Sequence, residues 1–393
     1  MKLLRRGVVI VGGGIAGCSL AILLAQRGVR VTVLEKQDVW RFNSSGIFVY
    51  SNGLAELEKV GVLPEILKTG FVIEGGRNIY FDQHGEVITE TVYPSAPGTT
   101  LPSILGIRRA ELHRVLTDRM RALGVAIRLG TTVLSIDDHA DDGHPLVATL
   151  SDGSTLEADL LVGADGIRSQ VRRMLWGDME PDDTGFGVWR SIHARPPALR
   201  EKILMMGVGK RLGIMPISED QLYIYATTNE PGHPRYEPSA LHLTMREKFA
   251  EFAGPATALL EDIRDPAQVV YTAVEEIRLP LPWHKGRVLL IGDAAHASTP
   301  FMGQGGTMAV EDGNVLADLL EGGTDLLGVL RQFGLCREPK CQFVQEVSRR
   351  VGEAGGLESA ATCAARNDRM RVQAQGDVDS FYRRLHEFDL ATA

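Results

Sequence analysis

The 393-residue chain reads as an α/β protein. The expected architecture is a Rossmann-type nucleotide-binding domain with an inserted β-sheet domain and a C-terminal helical segment. Three observations predict this. An apolar, β-branched run at 7–11 leads into Gly12-Gly13-Gly14-Ile15-Ala16-Gly17 and then a helical pattern. A second apolar run at 288–291 likewise enters a glycine-rich helix start. Alternating stretches at 71–99 and 185–228, broken by turn residues, interrupt the α/β pattern.

The elements follow in order. The run at 7–11 is a buried parallel strand, the helix at 16–27 stops at Gly28, and a strand at 29–34 ends at Glu35. Helices are expected at 51–60 and 109–123. Hairpins are expected within 71–99, with turns at 82–85 and 95–98, and short strands at 125–162, with turns at 141–145 and 152–154. A helix covers 167–175, alternation returns at 185–228, and helices cover 246–252 and 256–263. The region from about Gln304 is mostly helical. The implied division is 1–71, 103–177 and 284–330 for the nucleotide domain, 72–102 and 178–283 for the β-sheet domain, and 331–393 for the helical segment.

Bulk composition narrows the function. A chain of this length exceeds one ordinary core, which favours interlocking domains. Its net charge of −8 argues against a nucleic-acid partner, which needs a basic footprint. The run Arg168/Arg172/Arg173 reads as a solvated helix face. Four scattered cysteines make no disulfide framework, and Cys336 and Cys341 have no further ligands at metal spacing, so no metal is expected. No run approaches the roughly 20 apolar residues of a spanning helix. The N-terminal Met1–Arg6 imitates a signal peptide, but its apolar run is short. The reading is a soluble, cytoplasmic protein without a membrane partner, as a monomer or homodimer.

The first motif has a mechanical rationale. Gly12 permits the tight turn, Gly14 lets the backbone approach a pyrophosphate, and Gly17 allows helix and strand to pack closely. The helix N-terminus at Ile15 and Ala16 offers N–H groups and partial positive charge, and Glu35, followed by Lys36, is placed for a ribose hydroxyl pair. The second motif, Asp159–Gly166, ends a strand in Asp165-Gly166. The third, Arg287–His296, delivers Asp293 to the C-terminal end of a strand, followed by Pro300 and Gly303-Gln304-Gly305-Gly306. Asp293 suits polyol hydroxyls, and the N–H groups at Gly305 and Gly306 suit a negative charge.

These three motifs, in this order and spacing, resemble the single-component aromatic hydroxylase family of flavin monooxygenases, typified by para-hydroxybenzoate hydroxylase. The resemblance spans about 7–350. It implies bound FAD, with Glu35 at the adenosine ribose, Arg109 at the phosphate–ribitol region, Asp165 and Gly166 in a shared FAD/NAD(P)H motif, and Asp293 at the ribitol. Pro300 and Gly303–Gly306 would line the flavin ring. Gly306 stands where many relatives have Asn. The implied reaction uses NADH or NADPH and O2 to hydroxylate a small aromatic or N-heteroaromatic substrate through a flavin C4a-hydroperoxide. The β-rich insertion would form the roof, and NAD(P)H would bind near Arg168 and Asp165.

The stretch 209–225, with Trp189-Arg190 upstream, is similar to the alkylquinolone- and urate-hydroxylase type, where matching positions make Arg211 and Tyr223 substrate contacts. Arg190 and Tyr225 are further candidates; half-buried sheet packing is open for the two tyrosines, and a structural or solvent-facing role for the two arginines. Whether Arg211 and Tyr223 share a face depends on the strand register near 218–221. His296 reads as a structural hydrogen-bonder, and Met205, Met206 and Met302 as packing. A flavin reductase or epoxidase of the same fold, or a non-catalytic flavin protein, stays open.

Overall fold

The computed structural model describes residues 3–40, 45–138 and 144–392. The strand Val8–Val11, buried throughout, sits inside a six-stranded sheet. Its parallel neighbours are Val31–Glu35 on one side and Leu160–Gly163 on the other. Leu160–Gly163 pairs in turn, also in parallel, with Val288–Leu290. The three motif-bearing strands are therefore adjacent and point the same way. Their loops leave the sheet at one carboxyl edge, where open α/β sheets bind ligands.

A second sheet of seven strands runs Val269–Glu276, Asp182–Ala194, Gln221–Asn229, Lys210–Pro216, Lys202–Met206, Arg77–Asp82 and Val87–Val92. Strand periodicity divides its two faces. Leu222, Ile224 and Ala226 join Trp189, Leu212 and Ile214 in an apolar core beneath helix Leu241–Lys248. Tyr223, Tyr225 and Thr227 point the other way. Antiparallel pairing puts Met215 opposite Tyr223, Gly213 opposite Tyr225 and Arg211 opposite Thr227. That register settles the facing: Arg211 and both tyrosines lie on one side of the sheet. Gly213 is needed there, because a Cβ would come within 2.0 Å of the Tyr225 ring.

The chain ends in two long helices, Leu326–Gly355 and Ala360–Thr392. The last one lies along the edge strand Val87–Val92. The Gln375 side chain accepts the Val92 N–H at 2.8 Å and donates to the Val92 carbonyl at 2.9 Å. One amide thus pairs the exposed edge as a neighbouring strand would.

Local differences from the sequence expectations are few. The helix expected at 246–252 is Leu241–Lys248, entered through the Pro238–Ala240 turn. The helix expected at 167–175 begins only at Gln170, because Ser169 caps it. Strands Gly46–Tyr50 and Val269–Glu276 lie where the pattern predicts no element. The first three residues of the turn expected at 141–145 lie outside the described residues. No helix among the described residues is long and apolar enough to cross a membrane.

Candidate active site

A cavity of about 1720 Å³ runs from the carboxyl edge of the first sheet to the polar face of the second. That exceeds the usual volume for a drug-sized ligand, roughly 300–1,000 Å³. Gly14, Gly166 and Asp293, one from each motif loop, all line it.

At the first loop Gly12 has φ +107, and a Cβ there would sit 2.3 Å from the Ala164 carbonyl oxygen. A Cβ on Gly17 would sit 1.9 Å from the Gly12 oxygen. At Gly14 it would meet nothing within 4 Å, so that position opens onto the cavity. No side chain caps helix Ile15–Gln26. Its first-turn N–H groups are left for a ligand. Glu35 closes this end: its carboxylate accepts the Gly13 N–H at 2.9 Å and the Gln37 N–H at 3.0 Å. Trp40 and His113 stand beside it edge to face, ring centroids 5.2 Å apart, and His113 Nε2 lies 2.6 Å from the Gly13 oxygen.

The other two loops are locked from behind. Asp165 turns its carboxylate into the start of helix Gln170–Trp176, accepting from Ser169 Oγ at 2.5 Å and Gln170 N–H at 2.7 Å. It does not itself line the cavity; its neighbours Ala164 and Gly166 do. Arg172, expected on a solvated face, is instead 2% exposed. It donates to the Ala294 and Ile167 carbonyls, which ties the second motif to the third. Arg168 stays exposed and pairs with Glu275 at 2.8 Å. Behind Asp293, Asp312 accepts the Gly292 N–H, His296 Nε2 and Arg337 Nε. Cys341 joins His296 and Asp312 in this buried cluster. Burial disfavours the His296 imidazolium, but Cys341 and Asp312 outweigh it and raise its pKa. His296 is thus a buried structural hydrogen-bonder.

Asp293, Pro300, Gly303, Gly305 and Gly306 line the cavity, as does Arg109. Gly303, at φ +64, admits Phe48, whose ring would lie 2.0 Å from a Cβ there. Gly305 and Gly306 open helix Gly305–Gly322, which no side chain caps.

The far end is aromatic and basic. The Tyr223 and Tyr225 rings lie 5.3 Å apart, tilted by 35°, and Phe48 lies 5.4 Å from Tyr225. Arg211 is 5% exposed; its Nε donates to Thr227 Oγ1 at 3.3 Å, and its guanidinium rests 4.5 Å over the Phe301 ring. Lys202 is 3% exposed and bonds to Asn78 Oδ1 at 3.2 Å and Tyr93 Oη at 3.4 Å. Arg366 donates to the Gly207 and Ala354 carbonyls, and half-buried Arg190 to Thr272 Oγ1. Among the described residues none of these four cations has a carboxylate within 4.0 Å. Burial, reinforced by Arg211, brings the Lys202 pKa down to about 7. Burial likewise brings Arg211 down to about 10.

Of the FAD and substrate candidates, Gly12, Gly17 and Asp165 shape the loops from behind and Lys36 is exposed outside the cavity; the others line it, whereas Arg168, expected near NAD(P)H, does not. Sequence reasoning missed Trp40, His113, Phe48, Tyr93, Lys202 and Arg366. Lys202, Leu204 and Met206 do alternate into the cavity along one strand, and that period-2 pattern was the available signal.

The open Gly14 cradle, the uncapped helix starts and the exposed Asp293 fit an elongated dinucleotide. Residues 5–322 match the family model described as FAD binding domain. The chain is 31% identical over 388 residues to the aurachin C monooxygenase/isomerase of Stigmatella aurantiaca, covering 97% of this chain and 98% of that one. It is 33% identical over 393 residues to the 2-heptyl-3-hydroxy-4(1H)-quinolone synthase of Pseudomonas aeruginosa, covering 97% and 96%. The fold superposes on Klebsiella pneumoniae HpxO, solved with FAD and uric acid, with a TM-score of 0.85 at 24% identity and 97% coverage of both chains. The chain belongs to the single-component FAD-dependent aromatic hydroxylases and is an NAD(P)H- and FAD-dependent monooxygenase.

Proposed function

We propose that the enzyme hydroxylates a small aromatic or N-heteroaromatic substrate bearing an acidic group, with NADH or NADPH as reductant and O2 as oxidant. One observation carries this reading: among the described residues Arg211, Arg366 and Arg190 line the aromatic end beside Lys202 with no carboxylate in range. Buried cations without counter-charge are costly, and an anionic ring supplies the missing partner. The uric acid bound to HpxO is an acidic N-heterocycle, and the quinolone named for another relative is an N-heterocycle too, which supports the ring class.

When bound, FAD supplies the hydride acceptance and oxygen activation. The chain positions and encloses. In this reading the turn of Gly12, Gly14 and Gly17, with the N–H groups of Ile15 and Ala16, holds the pyrophosphate. Glu35, flanked by Lys36, takes the adenosine ribose, Arg109 the phosphate–ribitol region and Asp293 the ribitol hydroxyls. Pro300, Gly303, Gly305 and Gly306 flank the flavin ring, and Asp165 fixes the turn that opens Gly166 to the cavity. Arg211 and Tyr223 orient the substrate, with Arg190 and Tyr225 beside them. The sheet face and helix Ala360–Thr392 exclude water, which the chemistry requires. We further propose a cytoplasmic enzyme acting as a monomer or homodimer.

The test is a panel of phenols, hydroxypyridines, quinolones and purines offered to the yellow holoenzyme. An acidic member should stimulate NAD(P)H oxidation and O2 uptake in equal amounts, with a product heavier by one oxygen. NAD(P)H oxidation without oxygen incorporation for every member would refute hydroxylation.

A further inference from the structure

Lys202 is set apart from the other cations of the cavity, because it can give up its charge. Its strand, Lys202–Met206, pairs with Arg77–Asp82 on one side and Lys210–Pro216 on the other, so the amine is fixed at the cavity wall by the sheet. Nζ also lies 5.4 Å from the Phe48 ring, the ring that packs on Gly303 in the flavin-lining loop. The amine therefore stands where the substrate end meets the flavin end.

The groups around it are countable. Asn78 and Tyr93 are its hydrogen-bond partners. Tyr80 and Tyr50 complete the phenolic wall and Arg211 approaches from the adjoining strand, while Tyr382, its ring 5.9 Å from that of Tyr93, and Arg366 line the same cavity from helix Ala360–Thr392. Burial raises the pKa of each of these tyrosines, so they stay neutral and offer no counter-charge. A neutral amine has two N–H donors and one lone pair. The Asn78 oxygen and the Tyr93 hydroxyl oxygen satisfy both donors, which leaves the lone pair for a ligand.

We propose that Lys202 is the base that takes the proton from the acidic ring substituent of the substrate, a phenolic O–H or a ring N–H, as it enters the cavity. The O–H or N–H bond of the substrate breaks and an N–H bond forms on Nζ. The released electron pair stays on the ring heteroatom, where it enriches the ring for attack by an electrophilic oxygen. The new ammonium and the new anion are then a buried pair beside Arg211, and the net charge of the site is unchanged. The Lys202 pKa of about 7, set by burial and by Arg211, suits a base working at neutral pH. This inference rests on the hydroxylase reading above.

The test uses 7-hydroxycoumarin and 4-hydroxyquinoline, whose neutral and anionic forms absorb differently, titrated into holoenzyme below each probe's own pKa. Wild type should bind at least one as the anion. Lys202→Met and Lys202→Gln, checked for an unchanged flavin spectrum, should bind it in the neutral form and about tenfold more weakly. They should also lose about 100-fold in kcat/KM together with the acid limb of its pH profile. A wild-type spectrum without the anion decides against the base even if both variants fail to fold. Wild type that turns over aromatics but binds both probes only as neutral species, or not at all, overturns the proposal. So does an anion signal that persists in both variants. A holoenzyme that no aromatic stimulates defeats the hydroxylase reading itself, and the base with it.

Discussion

Asp312 holds His296 at 2.7 Å through the same carboxylate oxygen that accepts the Gly292 N–H at 2.7 Å. One oxygen on helix Gly305–Gly322 therefore fixes both ends of the turn that presents Asp293. Its other oxygen is held by Arg337 at 2.8 Å. Removing the charge leaves buried His296 without its anionic partner and Arg337 with Glu311 alone. Asp312→Asn should cost about 3 kcal/mol of stability and weaken FAD binding, as read by urea unfolding and flavin titration.

The same pair sets a pH window. Burial works against the Asp312 carboxylate, but His296 and Arg337 outweigh it and lower its pKa from 3.8 to about 2. Its stabilisation is present above pH 3.8 and fades as pH falls towards 2. His296 is raised well above 6.5, so its share is full below 6.5 and is lost only as pH rises through the folded value. Unfolding free energy should hold steady across neutrality and fall on both flanks. A loss centred near pH 6.5 would contradict a protonated His296.

Asp293 is exposed to the cavity. Asp293→Ala should cost about 1–3 kcal/mol of FAD affinity, the worth of one or two polyol hydrogen bonds. Flavin titration measures it, with the fold itself little changed.

Arg211→Gln removes a buried cation while keeping a polar group near Thr227. The flavin spectrum should be retained and KM for an acidic substrate should rise about tenfold or more. Steady-state kinetics against a neutral analogue make the control, since that analogue gains nothing from the charge.

Gln375 pins helix Ala360–Thr392 to the backbone of Val92. Gln375→Ala should loosen that wall and admit water. The expected sign is uncoupling, in which NAD(P)H oxidation persists while more of the O2 consumed appears as H2O2. A peroxide assay alongside oxygen uptake reads the ratio.

The nucleotide half was legible because its signals are local: Gly12, Gly14 and Gly17 act within one strand–turn–helix unit, and Glu35 ends the next strand. The substrate half was not, because it depends on pairing between distant strands. Arg211 and Tyr223 could be named from sequence, but whether they share a face required the Met215–Tyr223 register. Arg172 misled, since one arginine in a basic run is buried with its guanidinium on a carbonyl 122 residues away, that of Ala294. The alternation along its strand could have flagged Lys202, but not its companions Asn78 and Tyr93, which belong to another hairpin. The contribution of helix Ala360–Thr392 to the cavity wall could not be read from a helical pattern, which says which face is apolar but not what it meets.

The adjacency of Val8–Val11, Leu160–Gly163 and Val288–Leu290 has a temporal consequence. Neighbours in space, they are separated by some 120 to 150 residues of chain. Pairings of such long sequence separation form late. The cofactor has no complete seat until the third strand docks, so FAD locks the finished sheet and does not template the early stages of folding.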